Sequence, residues 1–358
     1  MKLPVNLLVA VFFFQSVLLF SQTCDSAAAK CVCATDDLSP SGIMLGHEHP
    51  KGAWKFSYRY ISMFMGGNLS GTQKVDDNFV FNKYLMSPKN MRMDMHMLMA
   101  MYGITNRLSV MVMLNYNTMS MNMNMFPGMT MQMNGSTMVM TSNTSTIMNS
   151  KTSGLGDTKL YAVYSVISRN VHHILLNAGL SIPTGSIQMK GKSDDIMYPS
   201  QRLPYMMQMG SGTYDFMPGI TYLIKSSKAS FSTQFTTVLR PFNNSLNYHL
   251  GNEYTLNVWG AYKWLPWVSS SVRVNASSVG AITGYDPTLY AYNEPSANPL
   301  NYGGKIVNSY LGFNFYLNRG WLNNNRLSVE YGMPLYQNPN GVQLASKSTI
   351  YAGWIFTF

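Results

Sequence analysis

Charge is scarce in this chain of 358 residues, because Asp, Glu, Lys and Arg make up only 11% of it. A soluble domain usually carries roughly 25–35% of these residues on its surface, so the composition does not favour an ordinary soluble protein. Beyond residue 22 the chain also lacks any run of about 18 apolar residues, which excludes helical membrane spans. The 46% of hydrophobic residues must therefore alternate with polar ones.

Cysteine is nearly absent, and the three that occur, Cys24, Cys31 and Cys33, precede every predicted strand. In an oxidising compartment an odd number of cysteines leaves at least one unpaired or bound to metal. The formal net charge of +10 comes without a basic cluster, so no nucleic-acid partner is predicted. We find no Gly-x-Ser-x-Gly elbow, phosphate loop or His-Glu-x-x-His helix, and we do not predict an enzyme.

The N-terminal segment is typical of a secretory signal peptide. Lys2 supplies a positive charge, residues 7–20 are almost wholly apolar, and residues 21–23 offer a cleavage site. We predict a signal peptide over 1–22, a periplasmic extension over 23–50 and an outer-membrane domain over 51–358. Two alternatives are an uncleaved anchor and a lipoprotein with Cys24 lipidated.

The remaining sequence alternates in hydrophobicity with a period of two residues, which predicts β-strands. In the first segment, for example, one face carries Trp54, Phe56, Tyr58, Tyr60 and Phe64, whereas the other carries Lys55, Ser57 and Arg59. About twelve such segments occur, at 53–65, 90–102, 107–121, 157–167, 171–182, 213–224, 229–240, 252–264, 267–279, 306–318, 325–334 and 347–358. Each is long enough for a tilted strand to cross a bilayer.

The connections between these segments alternate between short turns and long loops, the last of them a long loop over 335–346. This rhythm is typical of a transmembrane antiparallel up-and-down β-barrel in the outer membrane of a Gram-negative bacterium. An even strand number puts both termini in the periplasm. The last segment ends in Phe358, which resembles the signature that the outer-membrane assembly machinery reads.

Two short motifs carry a family resemblance. Residues 154–157 read Gly-Leu-Gly-Asp and are followed by Lys159 and Tyr161, and residues 181–186 read Ser-Ile-Pro-Thr-Gly-Ser. Together they resemble the outer-membrane barrels of the "meta-pathway of phenol degradation" family, itself similar to channels of the fatty-acid-transporter type. The resemblance implies a barrel from about residue 50 to the end and the uptake of aromatic compounds. The methionine content of this chain departs from that expectation.

Methionine is abundant: there are 30, more than half between Met91 and Met148, and many recur at every second residue. Because a charge that faces lipid costs about 2–4 kcal/mol at the midplane, we predict that Arg92, Asp94 and His96 face the lumen. Met91 to Met101 then face lipid, where a flexible apolar side chain packs well.

The opposite orientation is predicted for the methionines of the first and third strands. There the aromatic and aliphatic residues take the lipid side, so the inward set is Met63, Met65, Met111, Met113, Met119 and Met121. A methionine-rich loop is predicted above them, with Met123, Met125, Met129, Met131, Met133, Met138 and Met140. Charged residues of matching parity, among them Asp215, Arg240, Arg273 and Glu330, are predicted to form a salt-bridged interior.

A thioether is a soft, uncharged ligand that suits Cu(I) and, by analogy, Ag(I). Several weak sites in series are what conduction requires. We therefore predict passage or homeostasis of these ions, with Cu(I) as the candidate metal, no other cofactor, and a small solute or metal ion and the bilayer as partners. The candidate ligands are Met63, Met65, His96, Met111, Met113, Met119, Met121, Cys31, Cys33, His47 and His49.

Several alternatives stay open at this point. The methionines also suit a channel for aromatic or other apolar molecules, and they are compatible with compositional drift in a barrel that transports nothing. His47 and His49 equally fit a solvated linker, and the cysteines fit one disulfide with a spare thiol.

Overall fold

The wall of the molecule is one antiparallel sheet that closes on itself. The computed structural model describes residues 37–46, 49–126, 130–133, 136–139, 147–192, 200–317 and 324–357. Its strands are β1 (Trp54–Ser70), β2 (Gln73–Val75), β3 (Met86–Gly103), β4 (Leu108–Met125), β5 (Thr130–Met133), β6 (Ser136–Val139), β7 (Ile147–Leu155), β8 (Thr158–Arg169), β9 (His172–Ile182), β10 (Lys190–Lys192), β11 (Ser200–Arg202), β12 (Asp215–Phe216), β13 (Gly219–Lys225), β14 (Ala229–Val238), β15 (Glu253–Leu265), β16 (Val268–Val279), β17 (Gly304–Leu317), β18 (Asn325–Pro339) and β19 (Val342–Thr357).

Neighbouring wall strands pair with their neighbours in sequence, and β1 pairs with β19 to close the ring. Two wall strands are interrupted. β7 and β8 both pair with β4, and β12 and β13 both pair with β9. Each interrupted pair counts as one wall strand, so the described residues form a closed twelve-stranded barrel. The predicted fold class is confirmed.

The period-two alternation places apolar residues outside and polar ones inside over most of the wall. On β1, Trp54, Phe56 and Phe64 are exposed outward, whereas Lys55 and Arg59 are buried in the lumen. Since side chains alternate across a strand, the same outward band recurs around the ring, for example at Val110 to Tyr116 and at Ile350 to Trp354. An outward apolar band of this kind matches the hydrocarbon layer of a bilayer.

The two ends of the barrel differ. At one end, here named the short-turn end, tight turns join β3 to β4, β8 to β9, β13 to β14 and β15 to β16. At the other, the long-loop end, lie helix α1 (Asp77–Phe81), the β10–β11 hairpin and three short 3-10 helices at Tyr205–Met207, Pro295–Ala297 and Pro299–Asn301. None of the helices in the described ranges has both the length and the apolarity to cross a bilayer.

Two predicted loops differ from the structure. The loop expected over 335–346 is a tight turn, because β18 continues to Pro339 and β19 begins at Val342, with Gly341 at φ 67° between them. The methionine-rich loop begins later than expected, since β4 continues to Met125. Part of the rest forms the β5–β6 hairpin, and Met129 and Met140 lie outside the described residues.

Candidate functional site

The methionines of β3 face the lumen, which is the opposite of the orientation predicted for them. Met91, Met97, Met99 and Met101 are buried, whereas Arg92 and His96 are exposed on the outer surface. The register explains the error: Met63 on β1 lies directly opposite Met93 on β3, and opposite residues share a face. His96 is therefore not a lumen residue, and its Nδ1 lies 2.8 Å from the hydroxyl of Tyr58.

The upper methionine cluster lies in the lumen toward the long-loop end. It is built on two rows of directly opposed side chains across β1, β3 and β4, namely Met63–Met93–Met119 and Met65–Met91–Met121. Met123, Met207 and Met209 are buried against these rows, and Met86 and Met189 pack at the edge. The predicted residues Met63, Met65, Met119 and Met121 are thus brought together with several that the sequence did not indicate.

The lower methionine cluster lies in the lumen toward the short-turn end. Its rows are Met99–Met113 and Met101–Met111, again opposed directly across β3 and β4. Met97 and Leu45 are buried with them, and Met44 and Met95 pack against the cluster. Because Met95 separates Met93 from Met97 on the same face of β3, the two clusters form one methionine wall along the lumen.

Residues 37–46 cross the lumen beside the lower cluster and are named here the lumen segment. Backbone carbonyls of this segment accept hydrogen bonds from side chains on widely separated strands: Arg59 donates to Ile43 at 2.7 Å, Gln234 to Leu45 at 3.3 Å and Tyr316 to Asp37 at 3.0 Å. The segment therefore spans the barrel from wall to wall.

Ion pairs hold the same segment in place. Asp37 lies 3.1 Å from Arg326 and 4.0 Å from Lys55. Glu330 accepts from the backbone N–H of Gly42 at 2.7 Å and from Arg273 at 2.8 Å. The space left between the segment and the lower cluster is a cavity of about 10 Å³, which is barely room for one water molecule. The segment therefore closes the lumen on the side of the lower cluster.

A second closure comes from residues 183–192 and 200–213, together named here the cap loop. Its buried residues Leu203, Met207 and Met209 pack against the upper cluster, so this part of the loop lies in the lumen. Arg202 lies 3.5 Å from Asp286, and Tyr205 stacks edge-on against Tyr248 at 5.0 Å. The cap loop thus joins the methionine wall to the other loops of the long-loop end.

The two motifs that carry the family resemblance meet where the cap loop leaves the wall. Asp157 accepts from the backbone N–H of Gly185 at 2.9 Å and of Ser211 at 2.7 Å. Thr184 donates to the carbonyl of Gly156 at 3.0 Å. Gly210 has no room for a side chain, because a Cβ there would lie 2.6 Å from the carbonyl oxygen of Gly185. The motifs therefore anchor the cap loop, a role that short glycine motifs do not reveal in sequence.

Of the five predicted nitrogen and thiolate ligands, the structure describes His49 and His96. Cys31, Cys33 and His47 lie outside the described residues. His49 is buried at the short-turn end, and burial, with a smaller effect of Lys55, lowers its pKa to about 3. Its ring is thus neutral at physiological pH, the form that binds metal. In the described ranges no three His, Cys, Asp or Glu residues form a group that could hold a metal ion.

Reasoning from the sequence missed Met44, Met207, Met209 and the inward methionines of β3. The inward orientation of the β3 methionines could have been inferred from Leu98, an aliphatic residue that alternates with them and faces outward with 59% of its surface exposed. Met207 and Met209 could not be identified from the sequence, because a loop that folds into the lumen shows no hydrophobic periodicity. What the arrangement offers chemically is a wall of uncharged thioethers on β3 and β4. It is bordered on β1 by Lys55 and Arg59, which pair in register with Met101 and Met97, and a further group of charges lies around Arg273 and Glu330.

Comparison with known proteins agrees with this architecture. No protein-family model and no curated protein matches the sequence. Among solved structures, an outer membrane channel from Pseudomonas putida F1 superposes with a TM-score of 0.55 at 13% identity, covering 90% of this chain and 100% of that one. The fold is that of an outer-membrane barrel.

A further match is a FadL homologue from Pseudomonas aeruginosa, with a TM-score of 0.41 at 11% identity. It covers 86% of this chain and 90% of that one. At these identities the likeness concerns the fold, and the function has to be argued from the lumen itself.

Proposed function

We propose that this protein is an outer-membrane channel that takes Cu(I) or Ag(I) along the methionine wall of its lumen. The observation that carries the proposal is the register of β1, β3 and β4, which sets methionine opposite methionine in four rows between the two ends of the barrel. A thioether binds soft monovalent cations and has little affinity for hard ones. Exchange between neighbouring thioethers supplies the weak sites in series that passage requires.

The orientation follows from the loops. Outer-membrane barrels have short periplasmic turns and longer outer loops, so the upper cluster lies toward the exterior and the lower cluster toward the periplasm. His49 lies at the end assigned to the periplasm, and we propose that it receives the ion there. The cysteines of the N-terminal extension are further proposed ligands, and they lie outside the described residues. Passage along the lower cluster requires the lumen segment to move, because the cavity between the segment and these methionines has a volume of only about 10 Å³.

The second candidate is a channel for aromatic or other apolar molecules, as the family resemblance implies. The observation in its favour is that the wall is apolar throughout: Val163, Leu175 and Leu203 are buried with the methionines, and Tyr161 packs against them. Methionine also adapts its shape to apolar ligands. A barrel that transports nothing is the third candidate, favoured by the two closures.

The test is a chelator-competition titration of Cu(I) on the barrel refolded in detergent, in a background with Cys24, Cys31 and Cys33 changed to Ser. One variant changes Met111, Met113, Met119 and Met121 to Leu, which keeps the lumen apolar and nearly conserves volume. The matched control changes Met333, which faces outward on β18 and is 49% exposed.

Tight binding that weakens in the lumen variant and not in the Met333→Leu control supports the proposal. Binding that is unchanged in the lumen variant excludes the β4 methionines as ligands and transfers the site to the methionines of β1 and β3 or to His47 and His49. An absence of competition eliminates the metal channel. Quenching of lumen fluorescence by a monoaromatic probe, lost in the same variant, would then favour the second candidate.

A further inference from the structure

Two methionines of the upper cluster belong to the cap loop and not to the wall. Met207 has none of its surface exposed, and Met209 only 5%. Gln208 lies between them with an extended backbone, so both methionine side chains project to the side opposite the Gln208 side chain. The cap loop therefore presents a pair of thioethers to the methionine wall.

The side chain of Gln208 fixes this pair within the cap loop. Its Nε2 donates to the carbonyl of Leu203 at 2.6 Å, and its Oε1 accepts from the backbone N–H of Met189 at 2.8 Å. The backbone N–H of Met209 donates to Ser186 at 2.9 Å. Because these bonds join the outgoing part of the loop to the returning part, the loop holds the two thioethers as one unit.

The contact between loop and wall brings sulfur atoms of both together. A Cβ added to Gly154 on β7 would lie 3.2 Å from Cγ of Met209 and 3.6 Å from its sulfur, so Met209 lies over the backbone of β7. Gly154 is two residues from Thr152, which pairs directly with Met119. Met209 and Met119 accordingly belong to the same buried cluster.

The thioethers at this contact are closed off from solvent. Met91 and Met121, which oppose each other across β3 and β4, are 1% and 2% exposed. Met207 is buried in the same cluster. An ion that comes from the long-loop end therefore reaches these sulfur atoms through movement of the cap loop.

Both sides of the contact offer uncharged sulfur. Burial of a cation in an apolar site is costly unless its ligands replace the lost hydration. Thioethers do so for soft monovalent ions such as Cu(I) and Ag(I), whereas K(I) is bound through oxygen atoms. Methionine has three rotatable bonds, so the packed side chains can rearrange around a small ion while the backbone stays in place.

We propose that Met207 and Met209 bind a Cu(I) or Ag(I) ion between the cap loop and the wall, together with Met91, Met119 and Met121, here named the bridging site. This site rests on the proposed function, because it places the soft ion of the channel at its outer entrance. It adds a control of that entrance: an ion that binds only the closed loop stabilises closure. The loop is released when the ion moves on along the wall.

The experiment is hydrogen exchange of the full barrel in detergent, read by mass spectrometry, with Cys24, Cys31 and Cys33 changed to Ser. Silver nitrate in a chloride-free buffer is the probe, and potassium nitrate is the matched hard ion. The amides followed are those of residues 203–210, whose hydrogen bonds lie within the cap loop, as from Leu203 to Met189. Native mass spectrometry of the same samples measures the bound silver.

The variants remove sulfur from one side of the bridging site at a time. The loop variant is Met207→Leu with Met209→Leu, and the wall variant is Met91→Leu with Met121→Leu. These exchanges nearly conserve volume and apolarity, so without silver both variants should exchange at the parental rate. The control is Met333→Leu, on the outer face of β18.

In the parent, free Ag(I) at about 100 times its dissociation constant should slow exchange of these amides about a hundredfold, because the open loop does not bind the ion. The Met333→Leu control should show the same protection. Potassium should give no protection, and silver should give none to the loop variant or the wall variant.

Two kinds of failure are separable. Protection of the loop variant or the wall variant equal to that of the parent would overturn the bridging site and leave the channel intact. Silver that binds the parent without slowing exchange of the cap loop would do the same. A parent that binds no silver would overturn both the bridging site and the metal channel.

Discussion

The guanidinium of Arg273 is a buried charge in the lumen, and three neighbouring side chains interact with it. Its Nε donates to Glu330 at 2.8 Å, its Nη1 donates to Asn257 at 3.0 Å, and its guanidinium lies 3.8 Å from the ring centre of Tyr310. In Glu330→Gln the guanidinium loses its counter-ion in a site without bulk water. We expect the free energy of unfolding to fall by about 3–5 kcal/mol, measured by urea titration in detergent micelles.

The control for this prediction replaces both partners. Arg273→Met with Glu330→Leu leaves no uncompensated charge, so it should restore most of the stability lost in Glu330→Gln. It still lacks the acceptor for the N–H of Gly42, so the lumen segment should be held less firmly. If the double variant is as unstable as the single one, the ion pair is not the source of the loss.

Gly210 is the residue on which the seating of the cap loop depends. An added Cβ would lie 2.6 Å from the carbonyl oxygen of Gly185 and closer still to Asp157. Overpacking of this kind costs about 1–3 kcal/mol, so in Gly210→Ala we expect cleavage by trypsin after Arg202 to accelerate about tenfold or more. Gly66→Ala, where a Cβ would meet nothing nearer than 3.8 Å, should be cut at the parental rate.

At the scale of elements, strand number and most strand faces were predictable because alternation and charge agree. On β1 and β4 the aromatic and aliphatic residues leave no doubt about the outward face. On β3 the two criteria conflict, since methionine alternates with Arg92, Asp94 and His96. The charge criterion failed there because it assumes the bilayer midplane, whereas these residues lie at the edge of the apolar band and are paired with one another.

The closures of the lumen were not predictable. The lumen segment binds through its backbone carbonyls, as at Ile43 and Leu45, so its side chains need follow no pattern. The cap loop enters the barrel through contacts between Asp157 and two backbone N–H groups far along the chain. The candidate site was half predicted, because the methionines of β1 and β4 were assigned inward and those of β3 outward.

The seating of the lumen segment can be tested with a disulfide. The hydroxyls of Ser41 and Ser328 lie 3.0 Å apart, which puts the two side chains within bonding range. With the native cysteines changed to Ser, Ser41→Cys with Ser328→Cys should form an intramolecular disulfide on mild oxidation, detected by gel mobility. Because the disulfide prevents the lumen segment from moving, the Ag(I) current should be lower in the oxidised form than in the reduced form and should recover on reduction.

The control pairs Ser41→Cys with Ser348→Cys, a position of β19 one step beyond the outward Ile350. This pair should not cross-link, since the wall lies between the two thiols. Cross-linking of both pairs, or of neither, would contradict the placement of residues 37–46 inside the lumen.

For the whole molecule, the long-loop end should depend on pH through Glu294. Burial raises its pKa to about 7 from the ordinary value of 4.5, with a smaller opposing effect of the hydrogen bond from Ser296. The folded form therefore holds its proton longer than the unfolded form. The stability that protonated Glu294 contributes to the folded form is fully present below pH 4.5 and is lost as the pH rises through about 7.

The loop that carries Glu294 packs on the start of β3, where the N–H of Met86 donates to Asn293 at 2.8 Å. We expect the amide exchange rate of this loop, corrected for the intrinsic rate, to rise between pH 5 and pH 8. The corresponding fall in the free energy of opening the loop is on the order of 3 kcal/mol at most. Glu294→Gln removes the titration and should give a flat profile. A dependence that survives in Glu294→Gln would assign the effect to another group.

The metal proposal for the channel as a whole depends on sulfur, and one substitution removes sulfur without altering shape. Biosynthetic replacement of methionine by norleucine exchanges each thioether for a methylene at all 30 positions. Because the volume and apolarity of the wall are conserved, we expect the barrel to fold with a stability within about 1.5 kcal/mol of the parent. Cu(I) binding in the cysteine-free background should be lost, whereas an apolar solute channel would keep its ligand. Retained Cu(I) binding would contradict the thioether path and leave His47 and His49 as the ligands.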